Sequence, residues 1–375
     1  MSIYLDNMAG TPIDPRVAEV HSSVSLQTMG NPQSRENADG EEAGRLVEEA
    51  ARNARAPFDG RFDEAIFTPG AAPALWLAVE AAIITQRSRP LRVALSRAEH
   101  PALISALVRA REAGRLQIVD IEVDGHGAPD LASLERALDE GIDLVCTMAV
   151  NNEIGTISDL ASIAGLASRS GARLLVDGSQ AFGRIPNKTL ALADLLVLSG
   201  AKIYGPRRSG VLLGSLDPGA HSLAHDVFGT PDVASAASLA HAMRLRTEEG
   251  AADEARIACM RDRLQDALVA RVPGLRVNGG DHRIAGCLHV STPHVPGEAV
   301  VGRVWGRISV STGAACQSGA PGPSHVVNAM GLDEWACDGA VRIGIGRFNT
   351  DQEIDAAIDI LGEALSGSID TRKRA

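Results

Sequence analysis

Leu174-Leu175-Val176-Asp177-Gly178-Ser179-Gln180 and Leu195-Leu196-Val197-Leu198-Ser199-Gly200-Ala201-Lys202-Ile203-Tyr204-Gly205-Pro206 decide how this chain is read. Each is an apolar run too short for a helix and closed by polar, Gly-containing turns, which is how a strand buried on both faces looks. Working outward, similar runs occur at 64–67, 91–95, 116–119, 144–150 and 210–213. Helical patterns fill the gaps, with good examples at 71–84 and 101–113. Short apolar runs alternating with helices predict an α/β fold, with mainly parallel strands joined by crossover helices. Ligands bind such sheets beyond the carboxyl ends of the strands, often against helix N-termini, so function is expected just after these runs.

Beyond this region, 232–271 reads as two long helical stretches interrupted near Glu248-Glu249-Gly250. The pattern then becomes mixed, with strands near 286–291, 307–311 and 340–345 and helices near 297–305, 324–330 and 351–366. We expect a large domain over 12–250 and a smaller α+β domain made of 1–11 with 251–375, closely packed because no low-complexity linker separates them.

With 375 residues, 45% hydrophobic and 22% charged, the chain can bury a sizeable core. No apolar run reaches the roughly 20 residues that span a bilayer, and the start Met1-Ser2-Ile3-Tyr4-Leu5-Asp6 does not look like a secretory signal, so a cytoplasmic location is expected. A formal charge of −11 argues against a broad nucleic-acid surface, and the basic tail at 371–374 reads as a solvated end. The five cysteines form no CxxC pair, which fits neither zinc nor a disulfide framework and predicts reduced thiols and no metal. Cys146, Cys259 and Cys287 read as inert core residues.

Only Lys188, Lys202 and Lys373 supply lysine amines. Lys373 lies in the tail and Lys188 in a polar turn, whereas Lys202 follows a strand next to one that ends in Asp177. A lysine that can form an imine, an acid that keeps a pyridine nitrogen protonated, and hydroxyls and amides for a phosphate are what pyridoxal 5′-phosphate (PLP) requires. Lys202, Asp177 and Ser199 supply one of each. Asp177 by itself reads more readily as a helix cap, and it is the lysine after the next strand that changes this.

Val176 to Gln180 and Ser199 to Pro206 together resemble the cysteine desulfurases of the class V aminotransferase group, which are fold type I PLP enzymes. Further matching segments run in order along most of the chain: Ile3-Tyr4-Leu5-Asp6 with Thr11-Pro12, Gly30-Asn31-Pro32, Phe67 to Ala71, Glu99-His100, Val150 to Gly155, Ala314-Ala315-Cys316 with Pro323 to Val326, and Arg342 through Gly346-Arg347-Phe348. The resemblance implies a PLP-dependent transferase fold and conversion of L-cysteine to L-alanine, with the sulfur passed through a persulfide on Cys316 to an acceptor protein, such as an iron–sulfur scaffold or a thiolation enzyme. It implies that His100 stacks on the ring and moves protons; alone, this residue reads as a helix-start histidine. Asn152 and Gln180 are placed near the 3′-oxygen, Ala71 and Ala72 at the phosphate, and Asn31 and Arg347 at the substrate, Arg347 clamping its carboxylate with a bidentate fork. Thr230 is similar to a residue that reaches the phosphate of a second subunit, which implies a homodimer.

The departures from the family pattern cluster on the phosphate. Gly70-Ala71-Ala72-Pro73 lacks a hydroxyl that relatives carry, and Ala201 replaces the histidine before the lysine. Backbone amides where the helix begins near Ala71 are left to hold that group. Two other readings stay open: a PLP-dependent lyase on selenocysteine or another cysteine derivative, and a non-catalytic homologue kept for partner binding.

Overall fold

The computed structural model describes residues 2–86, 88–313 and 323–366. Its centre is a seven-stranded sheet built from β1 (Glu64–Thr68), β2 (Leu91–Ser96), β3 (Leu116–Ile121), β4 (Leu144–Met148), β5 (Arg173–Asp177), β6 (Leu195–Ser199) and β7 (Gly210–Gly214), in the order β1-β7-β6-β5-β4-β2-β3. The strands from β6 through β3 run parallel. β7 lies antiparallel to both β1 and β6. Every residue of β4, β6 and β7 is buried, as expected for strands covered on both faces. All seven expected strands are present, and most run one or two residues further than their apolar runs; β4 stops at Met148, short of the expected 150.

Helices cover the two faces. α1 (Ala71–Thr85) and α2 (Pro101–Glu112) pack on one side, burying Leu75, Leu77, Leu103 and Leu107 against β2, β4 and β6. The opposite face carries a second apolar cluster that includes Phe58, Val145, Phe182 and Leu196. Helices at Pro15–Gln27 and Ala38–Arg55 complete the N-terminal part.

The helix α3 (Val233–Arg271) corrects the expectation of a break near residue 250, because it runs unbroken for 39 residues. Gly250 is buried in its interior, where a Cβ would stand 2.5 Å from the carbonyl oxygen of Gly183. The glycine is there to let two backbones approach, and its cost in helix propensity, about 1 kcal/mol, is outweighed by the packing of this long helix. α3 then reaches the smaller part of the chain. There β8 (Arg276–Val277), β9 (Cys287–Ser291) and β10 (Ala340–Gly344) form an antiparallel sheet in the order β10-β9-β8, closed by the C-terminal helix Asp351–Leu365. The N-terminal residues belong to this part: Ile3–Tyr4 pairs with Ile308–Ser309, and Asp6 bridges Gly344. Among the described residues no helix is long and apolar enough to cross a membrane.

Candidate active site

The carboxyl ends of β4, β5 and β6 converge on one cavity. Its lining includes Met8, Ala9, Ala71, Ala72, His100, Asn152, Asp177, Ser179, Gln180, Ser199, Lys202 and Arg342. Local sequence explains these placements. Asp177 is the last residue of β5 and turns its carboxylate back to accept the Ser179 amide at 2.9 Å. Ser199 ends β6, and the single helical turn Gly200–Lys202 that follows carries the lysine. Lys202 Nζ donates to the carbonyls of Met8 at 2.8 Å and Ala9 at 2.5 Å. The N-terminal segment is thus part of the site, tied down by Thr11, whose amide and hydroxyl both donate to the carbonyl of Ala201.

His100 starts a helix, as its reading without the resemblance has it. It is the N-cap of α2, with Nδ1 accepting the Ala102 amide at 3.1 Å, and its ring lines the cavity. That bond fixes the tautomer with the proton on Nε2. Burial lowers its pKa below the ordinary histidine value, with Lys202 and His325 pushing the same way and Asp177 opposing. The ring is therefore neutral at physiological pH, with Nε2–H left as a hydrogen-bond donor.

At another side of the cavity, α1 starts after Gly70, whose φ of 123° suits glycine alone, and no side chain caps it. First-turn amides have no partner within a helix. Here only Ala71 and Ala72 contribute them at the cavity, since Pro73 carries no N–H.

The resemblance implied Arg347 as the carboxylate clamp, but a different arginine, Arg342, lines the cavity. Arg347 does not line the cavity; its guanidinium is held by Asp14 at 3.2 Å, Asp253 at 3.3 Å and Glu249, and lies 5.4 Å from the centre of the Tyr204 ring. The Arg16 guanidinium, and after it that of Arg347, holds the Glu249 carboxyl down at about 2. Arg342, on β10, is 2% exposed and reaches the cavity. It donates to the Asn152 carbonyl and to Asp6 Oδ1, both at 3.0 Å, while its Nε has no partner. Asn31 and Thr230 are likewise not brought to the cavity; both are exposed and border a separate surface groove around 24–32 and 230–234. A wider concavity that Thr230 also borders contains Arg207, Arg208 and His225 but is lined by no lysine.

Cys316 lies outside the described residues. Its flanks do not. A Cβ on Gly313 would come within 2.8 Å of Glu153 Oε2, and Ser324 hydrogen-bonds the same carboxyl group. His325 Nε2 lies 2.8 Å from the Glu99 carbonyl, next to His100. Among the described cysteines all four are unbridged; Cys146, Cys287 and Cys337 are buried, but Cys259 is exposed on α3, contrary to its reading as a core residue. Cys259 sits on the solvent face of an amphipathic helix whose inward positions are Ile257 and Met260. No cluster suited to a metal occurs among the described residues.

Residues 3–357 match the profile of aminotransferase class V. A cysteine desulfurase IscS of Anaeromyxobacter sp. (strain K) is 32% identical over 373 residues, covering 96% of this chain and 92% of that protein. The chain belongs to the cysteine desulfurase family of class V aminotransferases. A human cysteine desulfurase is 31% identical over 368 residues, covering 95% of this chain and 80% of that one. Among solved structures, a NifS-like protein superposes with a TM-score of 0.87 at 26% identity, covering 98% of this chain and all of that one. The fold is that of the fold type I PLP-dependent transferases, and the cofactor is PLP.

The residues present fit that cofactor. Asn152 and Ser179 line this cavity, and their buried Oδ1 and Oγ have no hydrogen-bond partner, so the site's residues carry polar atoms that the protein itself does not satisfy. Lys202 and Asp177 lie in the same cavity as an amine and an acid, and the two α1 amides offer an anion seat.

Glu153 carries a pH prediction. Its carboxyl is buried with Oε2 unpartnered, and burial lifts its pKa from 4.5 to about 7, against the lowering effects of Ser324 and Arg342. A carboxyl raised in the folded state stabilises the fold most below the unfolded value, and this contribution is lost as pH rises through about 7. At about 1.4 kcal/mol per unit, Glu153→Gln should gain roughly 3 kcal/mol over wild type between pH 4.5 and pH 8. Thermal unfolding of both proteins across that range checks this; parallel Tm curves would show that Glu153 does not titrate there.

Proposed function

We propose that this chain is a PLP-dependent cysteine desulfurase that converts L-cysteine to L-alanine and carries the released sulfur as a persulfide on Cys316. The observation that carries the reading is the single cavity in which Lys202, Asp177, His100 and Asn152 meet at the carboxyl ends of the strands.

When bound, PLP supplies an electron sink for the charge that develops at the substrate's Cα. Asp177 keeps the pyridine nitrogen protonated, and the α1 amides with Ser199 take the phosphate. Gln180 and Asn152 address the ring oxygen, and Asn152 also faces the substrate. Lys202 Nζ takes the Cα proton, and neutral His100 would offer a hydrogen bond from Nε2–H toward the reacting atoms. Cys316 thiolate then attacks the substrate sulfur; the new S–S bond forms as the Cβ–S bond breaks, and the electron pair left on Cβ takes a proton to give alanine.

For the carboxylate clamp we propose Arg342 in place of Arg347. Arg342 lines the cavity and has a buried, unpartnered Nε, whereas three acids occupy Arg347. Arg342→Lys should raise the KM for L-cysteine by roughly 10- to 100-fold, the usual worth of a charge-assisted hydrogen bond. Arg347→Lys should chiefly lower Tm, by weakening the tie between 346–348 and α3. If the steady-state kinetics of the two variants are reversed, so is the assignment.

The division into 12–250 and 1–11 with 251–375 remains our proposal, supported by the pairing of the first residues with 308–309 and Gly344. We also propose a homodimer, in which exposed Thr230 and the groove it borders meet the second subunit, a cytoplasmic location, and hand-off of sulfur to an acceptor protein such as an iron–sulfur scaffold or a thiolation enzyme. The deciding experiment is incubation of the purified protein with PLP, L-cysteine and a reductant, measuring alanine and sulfide. Equal amounts of both are expected, and no alanine would sink the proposal.

A further inference from the structure

We propose that Arg184 is a positioning residue that fixes which end of the Gln180 amide faces the cavity and makes Gln180 a hydrogen-bond donor to the bound cofactor. This inference rests on the PLP reading above. Gln180 and Arg184 stand four residues apart on a tight turn after β5, closed by Ala181 N to Gly178 O at 2.9 Å and Arg184 N to Ala181 O at 2.9 Å. Arg184 Nη1 donates to Gln180 Oε1 at 2.6 Å, and Nη2 donates to the Lys202 carbonyl at 3.2 Å. One guanidinium therefore ties the Gln180 side chain to the backbone of Lys202.

The two ends of a glutamine amide are ordinarily hard to tell apart. Here two neighbours of opposite sense settle them. A guanidinium has no acceptor, so the end facing Arg184 must be oxygen. A carbonyl has no donor, so the end facing Met8 O, at 2.8 Å, must be nitrogen. The oxygen is occupied by a charge-assisted bond, and one N–H of the buried amide is left for the cavity that Gln180 lines. Without Arg184 the Met8 carbonyl alone would orient the amide, and Gln180 Oε1 would lose its charge-assisted bond, loosening the donor that faces the cavity.

The difference has a chemical consequence. The oxygen at C3 of PLP is anionic next to the lysine-derived nitrogen, and its negative charge helps that nitrogen keep its proton. A donor aimed at the oxygen withdraws part of this charge, so the nitrogen releases its proton at lower pH. Arg184 acts on this equilibrium through Gln180 and touches neither atom.

The test is a pH titration of the visible absorbance of protein loaded with PLP, for wild type, Arg184→Met, Arg184→Lys, Gln180→Ala and the Arg184→Met/Gln180→Ala double variant. Arg184→Met is expected to raise the midpoint by about one pH unit, a tenfold change in proton affinity. Gln180→Ala should shift it in the same direction, the double variant no further than Gln180→Ala alone, and Arg184→Lys should return the midpoint toward wild type. An Arg184→Met protein that loses Tm but keeps the wild-type midpoint overturns the inference, and so do shifts that simply add in the double variant. A wild type that takes up no PLP overturns the cofactor reading, and the inference with it.

Discussion

Lys202→Ala is expected to emerge from gel filtration colourless after incubation with PLP, and to form alanine from L-cysteine at least about 10²–10⁴-fold more slowly, the range set by the loss of its proton transfer alone. Lys202 is the only lysine among the residues lining the cavity; Lys188 belongs to the short helix Asn187–Leu190, and Lys373 lies outside the described residues. Retention of the cofactor should suffer more than the loss of one covalent bond suggests. The anion seat at the start of α1 offers the amides of Ala71 and Ala72 but neither a capping side chain nor an N–H from Pro73. The lysine therefore carries a larger share of the hold on PLP than it would beside a complete phosphate cup. Lys202→Arg separates charge from nucleophilicity, because a guanidinium can still donate to the Met8 and Ala9 carbonyls but forms no imine. A coloured Lys202→Ala protein, or one with half the wild-type rate, would remove Lys202 from its role.

The sheet was readable in the sequence because each strand is a short, closed apolar run, and burial on both faces leaves no competing pattern. Lys202 and Asp177 were readable for the same reason, since a residue that ends such a run stands at the carboxyl edge of the sheet. The long helix was not. Glu248-Glu249-Gly250 looks like a stop, and only the approach of Gly183 to Gly250 shows why a glycine belongs inside a continuous helix. Choosing between Arg342 and Arg347 needed three-dimensional information as well. The two are five residues apart in one motif, and what distinguishes them is the pairing of β10 with β9, which buries Arg342 opposite His289, and the cluster of Asp14, Glu249 and Asp253, drawn from two distant segments, that claims Arg347. A strand position for Arg342, already expected from the run at 340–345, was the one available signal.

Cys316→Ala should abolish alanine formation from L-cysteine while leaving the cofactor absorbance and the Arg184-dependent titration in place. The residue lies three positions beyond Gly313, and three peptide units reach at most about 11 Å. Gly313 itself packs on Glu153, the neighbour of Asn152 in the cavity wall, and the chain is described again from Pro323, with Ser324 on Glu153 and His325 on the carbonyl beside His100. Both flanks therefore contact residues adjacent in sequence to Asn152 and His100, which line the cavity with Lys202. The buried Cys146 and Cys287 cannot substitute, since burial pushes their thiols up, that of Cys287 to about 11, and leaves little thiolate at neutral pH. Exposed Cys259 sits on α3, away from the cavity. Single-turnover measurement of alanine, with wild type and Cys259→Ala as controls, reads this directly. Should Cys316→Ala form alanine at the wild-type rate, sulfur must leave without a protein persulfide, and the chain would be a direct PLP lyase on cysteine or a cysteine derivative.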